Sequence, residues 1–104
     1  MNFRVHEEPH AELIGAATSY EAAREGLGEA FTDRVLEAFT QIAKHPRRFA
    51  KLESTHVQGE IRCYLLQPKF PHLIIYEVQA DRIEVLAVAH GSREPDYWVS
   101  RKDA

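Results

Sequence analysis

Several features are scarce in this chain, and each scarcity narrows the reading. Cys63 is the only cysteine among 104 residues, so no internal disulfide can form. Such usage fits a reducing cytoplasm. No apolar run approaches the ~20 residues that a membrane-spanning helix needs, so no membrane role is expected. The amino terminus, MNFRVHEEPHAEL, lacks a basic region followed by an apolar core and does not read as a signal peptide. Cationic excess is also missing: 13 Lys and Arg stand against 16 Asp and Glu, a net charge of -3. Proteins that live on nucleic acid carry a basic surplus, so any such contact must come from a local patch. There is no glycine-rich phosphate loop and no serine in a nucleophile elbow. Internal repeats and low-complexity segments are absent, and nothing calls for a cofactor.

What is present is an ordinary folding composition. The chain is 44% hydrophobic, which separates it from disordered sequences. Its length predicts one domain over residues 1–104. Phe3 and Val5 alternate with polar neighbours and predict a short first strand. Pro9 stands where a helix can begin. From Ala11 the spacing of Leu13, Ala17 and Tyr20 predicts a helical face. Gly26 and Gly28 are expected to end that helix and turn the chain. A second helix is predicted from Glu29 to Lys44, with Phe31, Val35, Phe39 and Ile42 as its core stripe. His45-Pro46 ends it, because the residue before proline avoids helical geometry. The short link between the helices predicts an antiparallel hairpin.

The loop up to about His56 has little pattern. From Val57 the period becomes two: Val57, Ile61, Cys63 and Leu65 face one way, Glu60, Arg62 and Tyr64 the other. His72 to Val78 is almost continuously apolar and predicts a central strand. Gln79 to Arg82 is a four-residue hairpin connection, and Ile83 to Ala89 is the third strand of the meander. The expected class is α+β: a strand, an antiparallel helical hairpin, then a three-stranded antiparallel meander. Two helices can cover one sheet face. Apolar residues on the other face then imply a protein partner.

Few motifs carry chemistry. His6-Glu7-Glu8-Pro9-His10 matches the H-E-x-x-H string of zinc proteases, which needs both histidines on a regular helix. Pro9 disfavours that geometry at Glu8, so no zinc is expected. His45, His56, His72 and His90 show no ligand spacing. Lys44, Arg47, Arg48 and Lys51 form a basic cluster that reads as a solvated helix end or as a phosphate or acidic-protein contact. The sharper set is Arg62, His90, Arg93 and Tyr97. Arginine can fork onto a phosphate, and histidine or tyrosine can move a proton, which together outline a metal-independent ribonuclease. The competing reading makes these ordinary strand and edge residues, with Trp98 an aromatic plug.

The string IRCYLL, FPHLIIYEV, DRIEVLAVAHGSREPDYW resembles the RelE/ParE-type toxins of bacterial type II toxin–antitoxin, or plasmid stabilisation, modules. AELIGAATSYEAAREGLGEAF resembles the family's first helix and G-L-G turn, and IAKHPRRF its helix end. The resemblance runs from about Ala11 to Trp98. It implies a compact cytoplasmic toxin whose open sheet face and groove are wrapped by a cognate antitoxin. The helical hairpin and the H-x-x-R-x-P-x-Y-W ending are closer to ParE-like members, which act on DNA gyrase as binders rather than enzymes. RelE-like members cut mRNA on the ribosome, a role that would use Arg62, His90, Arg93 and Tyr97 as catalytic residues. A degenerate, non-toxic antitoxin-binding homologue is the third alternative. The chain departs from the family where an arginine pair is usual and Arg62-Cys63 stands instead. F-P-Y has also become Phe70-Pro71-His72, and the H-x-R-R-x-P segment holds only Arg93.

Overall fold

The structure, a computed structural model, describes residues 1–53 and 57–102. In chain order the elements are β1 (Asn2–Val5), α1 (Glu7–Ala23), α2 (Leu27–Lys44), β2 (Ala50–Lys51), β3 (Glu60–Leu65), β4 (His72–Val78) and β5 (Arg82–His90). A short 3-10 helix, Val99–Arg101, follows. The sheet order is β1-β5-β4-β3-β2. The three-stranded antiparallel meander is as predicted, with β4 at its centre, and the class is α+β. β1 adds to it in parallel with β5, Phe3 opposite Ile83.

Four boundaries differ from the sequence expectation, each for a local reason. β2 was not foreseen. It is two residues long, too short to show a period, and pairs Lys51 with Arg62. β3 starts at Glu60 rather than Val57. Helix α1 starts at Glu7, so Pro9 lies within its first turn, where its missing N–H is not needed. His56 and the end of the patternless loop lie outside the described residues. Gly28 does not turn the chain: it lies inside α2, packed against α1. The turn belongs to Gly26, whose φ of 86° is left-handed. Since Gly26 has no side chain to cap α2, Glu21 does so across the turn. Its Oε2 accepts the Gly26 N–H and its Oε1 the Gly28 N–H, both at 3.0 Å.

The sheet separates two apolar clusters. Phe31, Val35, Ala38 and Ile42 of α2 pack with Leu13 on Ile74, Tyr76, Val78, Ile83, Val85 and Val88. On the opposite face lie Ile61, Ile75, Leu86, Ala87, Ala89 and Trp98. A bulge makes this division possible. Ile75 pairs with Ala87 but Tyr76 with Val85, so Leu86 is extra. The insertion lets Val85 and Val88 both face the helices while Leu86 and Ala87 face away. The uncovered second face expected from the sequence is therefore partly closed, by the chain's own Trp98 and Val99.

Two buried carboxylates complete that face. Glu77 and Glu84 are directly opposed across β4 and β5. Opposed like charges destabilise a sheet, and here bridging donors offset them. Gln79 Nε2 donates to both, at 3.1 and 3.4 Å. Lys102 Nζ lies 3.3 Å from Glu77, and Arg4 Nη1 lies 3.4 Å from Glu84. His6 is buried here, its Nε2 3.3 Å from Glu84 Oε1 in a geometry that makes no hydrogen bond. His10 is exposed.

Glycine positions in the helical hairpin give a test of this packing. A Cβ on Gly28 would collide with the Ala17 carbonyl oxygen, a backbone atom, and crowd Glu21. Gly28→Ala is expected to cost about 1–3 kcal/mol of overpacking. Gly15, in α1, has nothing within 4 Å of the same position. Gly15→Ala should instead stabilise by about 0.5–1 kcal/mol through helix propensity. Denaturant midpoints at constant m-value would check both.

Candidate functional site

The last strand and the turn after it build the site. β5 outruns β1: after the Val85 carbonyl accepts the His6 N–H, no strand among the described residues covers its outer edge. Side chains take over there. Glu12 of α1 accepts the Val88 N–H at 3.0 Å, and Arg101 Nη1 donates to the Leu86 carbonyl at 3.0 Å. Arg101 also forks onto Glu12, at 2.9 and 3.2 Å, and the Tyr97 hydroxyl donates to Glu12 Oε2 at 2.6 Å. A single carboxylate thus joins α1, β5 and the carboxyl-terminal segment. Such charge-assisted bonds are the short, strong ones.

The turn itself is tightly made. The Gly91 N–H bonds the Pro71 carbonyl at 2.7 Å, and the Arg93 N–H bonds the His90 carbonyl at 3.0 Å. Asp96 adopts a left-handed φ of 64°, a conformation aspartate tolerates better than most residues. The outcome is a stack: the Arg93 guanidinium lies 3.9 Å from the Tyr97 ring centroid and that of Arg101 4.9 Å. Beneath it, Trp98 is 2% exposed and seals the sheet.

A groove of about 550 Å³ opens beside this stack, over Leu73, Ile75 and Ala89. His90, Arg93 and Tyr97, three of the four residues singled out from the sequence, line it. Arg62 does not. It pairs with Tyr76, whereas His90 pairs with His72 four residues away along β4, roughly 13 Å at ~3.3 Å per residue. Its side chain is consumed locally, with Nε donating to Glu60 at 2.8 Å and Nη1 to the Phe49 carbonyl at 2.7 Å. That bond to Arg62 is the main reason the Glu60 carboxyl is held below its ordinary range.

Proton transfer at this site is constrained. Burial, and next the hydrogen bond to Glu12, push the Tyr97 phenol up to about 12. His90 Nδ1 lies 3.0 Å from the donating Ser92 N–H and 2.7 Å from Ser92 Oγ, so in the neutral ring the proton sits on Nε2. Its ring meets that of His72 at 5.1 Å. Burial, then the neighbouring His90 charge, hold His72 below the ordinary histidine range, with Glu12 opposing. Sequence reasoning missed Glu12 and Arg101. Neither lies in the strand-end motif, and only the fold brings Glu12 to residues 85 and 89 positions away.

Two helices on one face of a mixed five-stranded sheet, closed by an aromatic and cationic carboxyl-terminal turn, define a small α+β fold. Residues 10–95 match the ParE toxin of the type II toxin–antitoxin system parDE, and the chain belongs to that family. Among solved structures, a chain of the chromosomal ParDE TA system from P. aeruginosa superposes with a TM-score of 0.73. The match covers 86% of this chain and 95% of that one at 16% identity, a likeness of fold. No curated protein matches significantly. Among the described residues no helix is long and apolar enough to cross a membrane.

The Glu12 junction predicts unequal losses. Glu12→Ala strands a partly buried guanidinium and a strand N–H, and should cost about 3 kcal/mol, the low end for breaking a buried pair. Tyr97→Phe leaves Glu12 its other donors and should cost about 1.5–3 kcal/mol. Chemical denaturation of the two variants would rank them. The raised phenol adds a pH signature. Its folded value lies above the ordinary 10.0, so its contribution is complete below pH 10 and is lost as pH rises toward about 12. Stability should fall across that window, and less steeply in Tyr97→Phe, as followed by phenolate absorbance and unfolding midpoints together.

Proposed function

We propose that residues 1–104 form one cytoplasmic domain, the toxin half of a type II pair, which acts by binding DNA gyrase and is neutralised by a cognate antitoxin. The observation that carries this reading is the family match over residues 10–95. The site geometry supports a binder over an enzyme. The Tyr97 hydroxyl is committed to Glu12 and its proton is held to about pH 12, far from the neutral range that efficient general acid–base catalysis favours. Arg62 is spent on Glu60 and the Phe49 carbonyl. The antitoxin has apolar surface to bury: Ile14 on α1 and Leu36 on α2 are each 51% exposed.

A second reading, a ribosome-dependent mRNA endonuclease, draws on one observation: His90, Arg93 and Tyr97 share a groove. Losing a proton-transfer group from such an enzyme would lower its rate about 10²–10⁴-fold. On the gyrase reading, His90→Ala and Tyr97→Phe leave toxicity largely intact in folded protein. Induction of the chain should then arrest growth with failed DNA supercoiling and a DNA-damage response, while existing messages are still translated. Rapid codon-specific mRNA cleavage, abolished by those two substitutions, would establish the nuclease instead. Complete absence of toxicity, with the antitoxin still bound, would identify a degenerate module.

A further inference from the structure

The groove beside Tyr97 is apolar at its floor and acidic at its rim. Leu73, Ile75 and Ala89 make the floor, and Leu65, paired with Leu73 and 55% exposed, extends it toward solvent. At the rim, Glu53, Glu94 and Asp96 stand against one guanidinium, that of Arg93. The guanidinium is already stacked on the Tyr97 ring. Among the described residues, none of the three carboxylates has a hydrogen bond or an ion pair. A volume of about 550 Å³ holds several side chains of an extended segment rather than one. A phosphate backbone would meet a net negative rim and be repelled, whereas a cationic segment would be drawn in.

We propose that this groove is the surface on which the toxin engages its target, and that it takes an extended protein segment whose apolar side chains are flanked by lysine or arginine. The apolar side chains cover Leu65, Leu73 and Ile75, and the flanking cations pair with Glu53, Glu94 and Asp96. The assignment to a target rests on the toxin reading above. It departs from the family resemblance, which would place the antitoxin over this groove as well, and leaves the antitoxin the exposed Ile14 and Leu36 of the helical hairpin.

The test uses the intact chain and its Glu53→Lys/Glu94→Lys variant, both substitutions being at exposed positions. The probes are a short fluorescent peptide of alternating leucine and lysine, its glutamate-containing counterpart, and an RNA oligonucleotide. The wild type should bind the lysine peptide, in a salt-sensitive manner, and neither of the others. The variant, with an unchanged denaturation midpoint, should bind it about tenfold more weakly, the reach of rim charge reversal. Its toxicity should fall in parallel, while its affinity for the antitoxin encoded beside it is retained. Equal binding of both peptides, preference for RNA, or full toxicity of the variant would overturn the proposal. So would loss of antitoxin affinity alone, or self-association through the chain's own Arg47–Lys51 segment that the variant abolishes. A wild-type chain that is not toxic would refute the function proposed above, and the peptide measurements would still decide what the groove takes.

Discussion

The carboxylate of Glu12 is the constraint on which the working end of the molecule depends. A parallel strand as short as β1 cannot cover a nine-residue β5. Bare strand edges recruit other chains unless something blocks them. Glu12 and Arg101 block this one by supplying an acceptor for the Val88 N–H and a donor for the Leu86 carbonyl. Because they also bind each other and Tyr97, covering the edge and ordering the carboxyl-terminal segment are one event. Loss of the carboxylate would release Tyr97, and with it the stack that presents Arg93 at the groove.

The two-sided sheet follows from the same economy of chain length. Two helices shield only one face. The other buries Ile61, Ile75 and Leu86 under Trp98 and Val99, with Leu52, Val57 and Tyr97 packed alongside. The bulge at Leu86 keeps Val85 and Val88 on the helical side, where the hairpin covers them with α1 packed on β5. Where Trp98 and Val99 stop, apolar floor stays open, and that opening is the groove. Leu52 and Glu53, ahead of β3, also line it.

The elements legible in the sequence were those whose signal is periodic. The core stripe of α2 and the apolar run of β4 announce themselves because burial repeats along them. β2 carries no such signal: Ala50 and Lys51 are both exposed and are held only through their ladder with Cys63 and Arg62. Gly28 reads as a turn residue, yet the close approach of α1 is what requires it. Glu77 and Glu84 look like solvent-facing strand residues, and only their cross-strand pairing, with Gln79 and Lys102 alongside, explains their burial. Of the site, His90, Arg93 and Tyr97 were legible as a cluster because they are close in sequence. Glu12, which fixes that cluster, was not, because its contacts are entirely long-range.

The departure from the family's arginine pair takes on physical meaning in the register of β3. Neighbouring strand residues point to opposite faces. Arg62 shares its position with Tyr76, on the helical side, while Cys63 shares its position with Ile75, on the groove side. A second arginine at residue 63 would therefore have faced the groove, and its replacement removes a cation from that face. The remaining arginine, Arg62, points the other way, where Glu60 and the Phe49 carbonyl bind it and it braces the link between α2 and β3. Burial keeps the Cys63 thiol protonated, above its ordinary range, so the position contributes no charge of its own. The groove is left with Arg93 against three carboxylates, an electrostatic character opposite to what a phosphate backbone needs, and the balance at this site favours recognition of a protein.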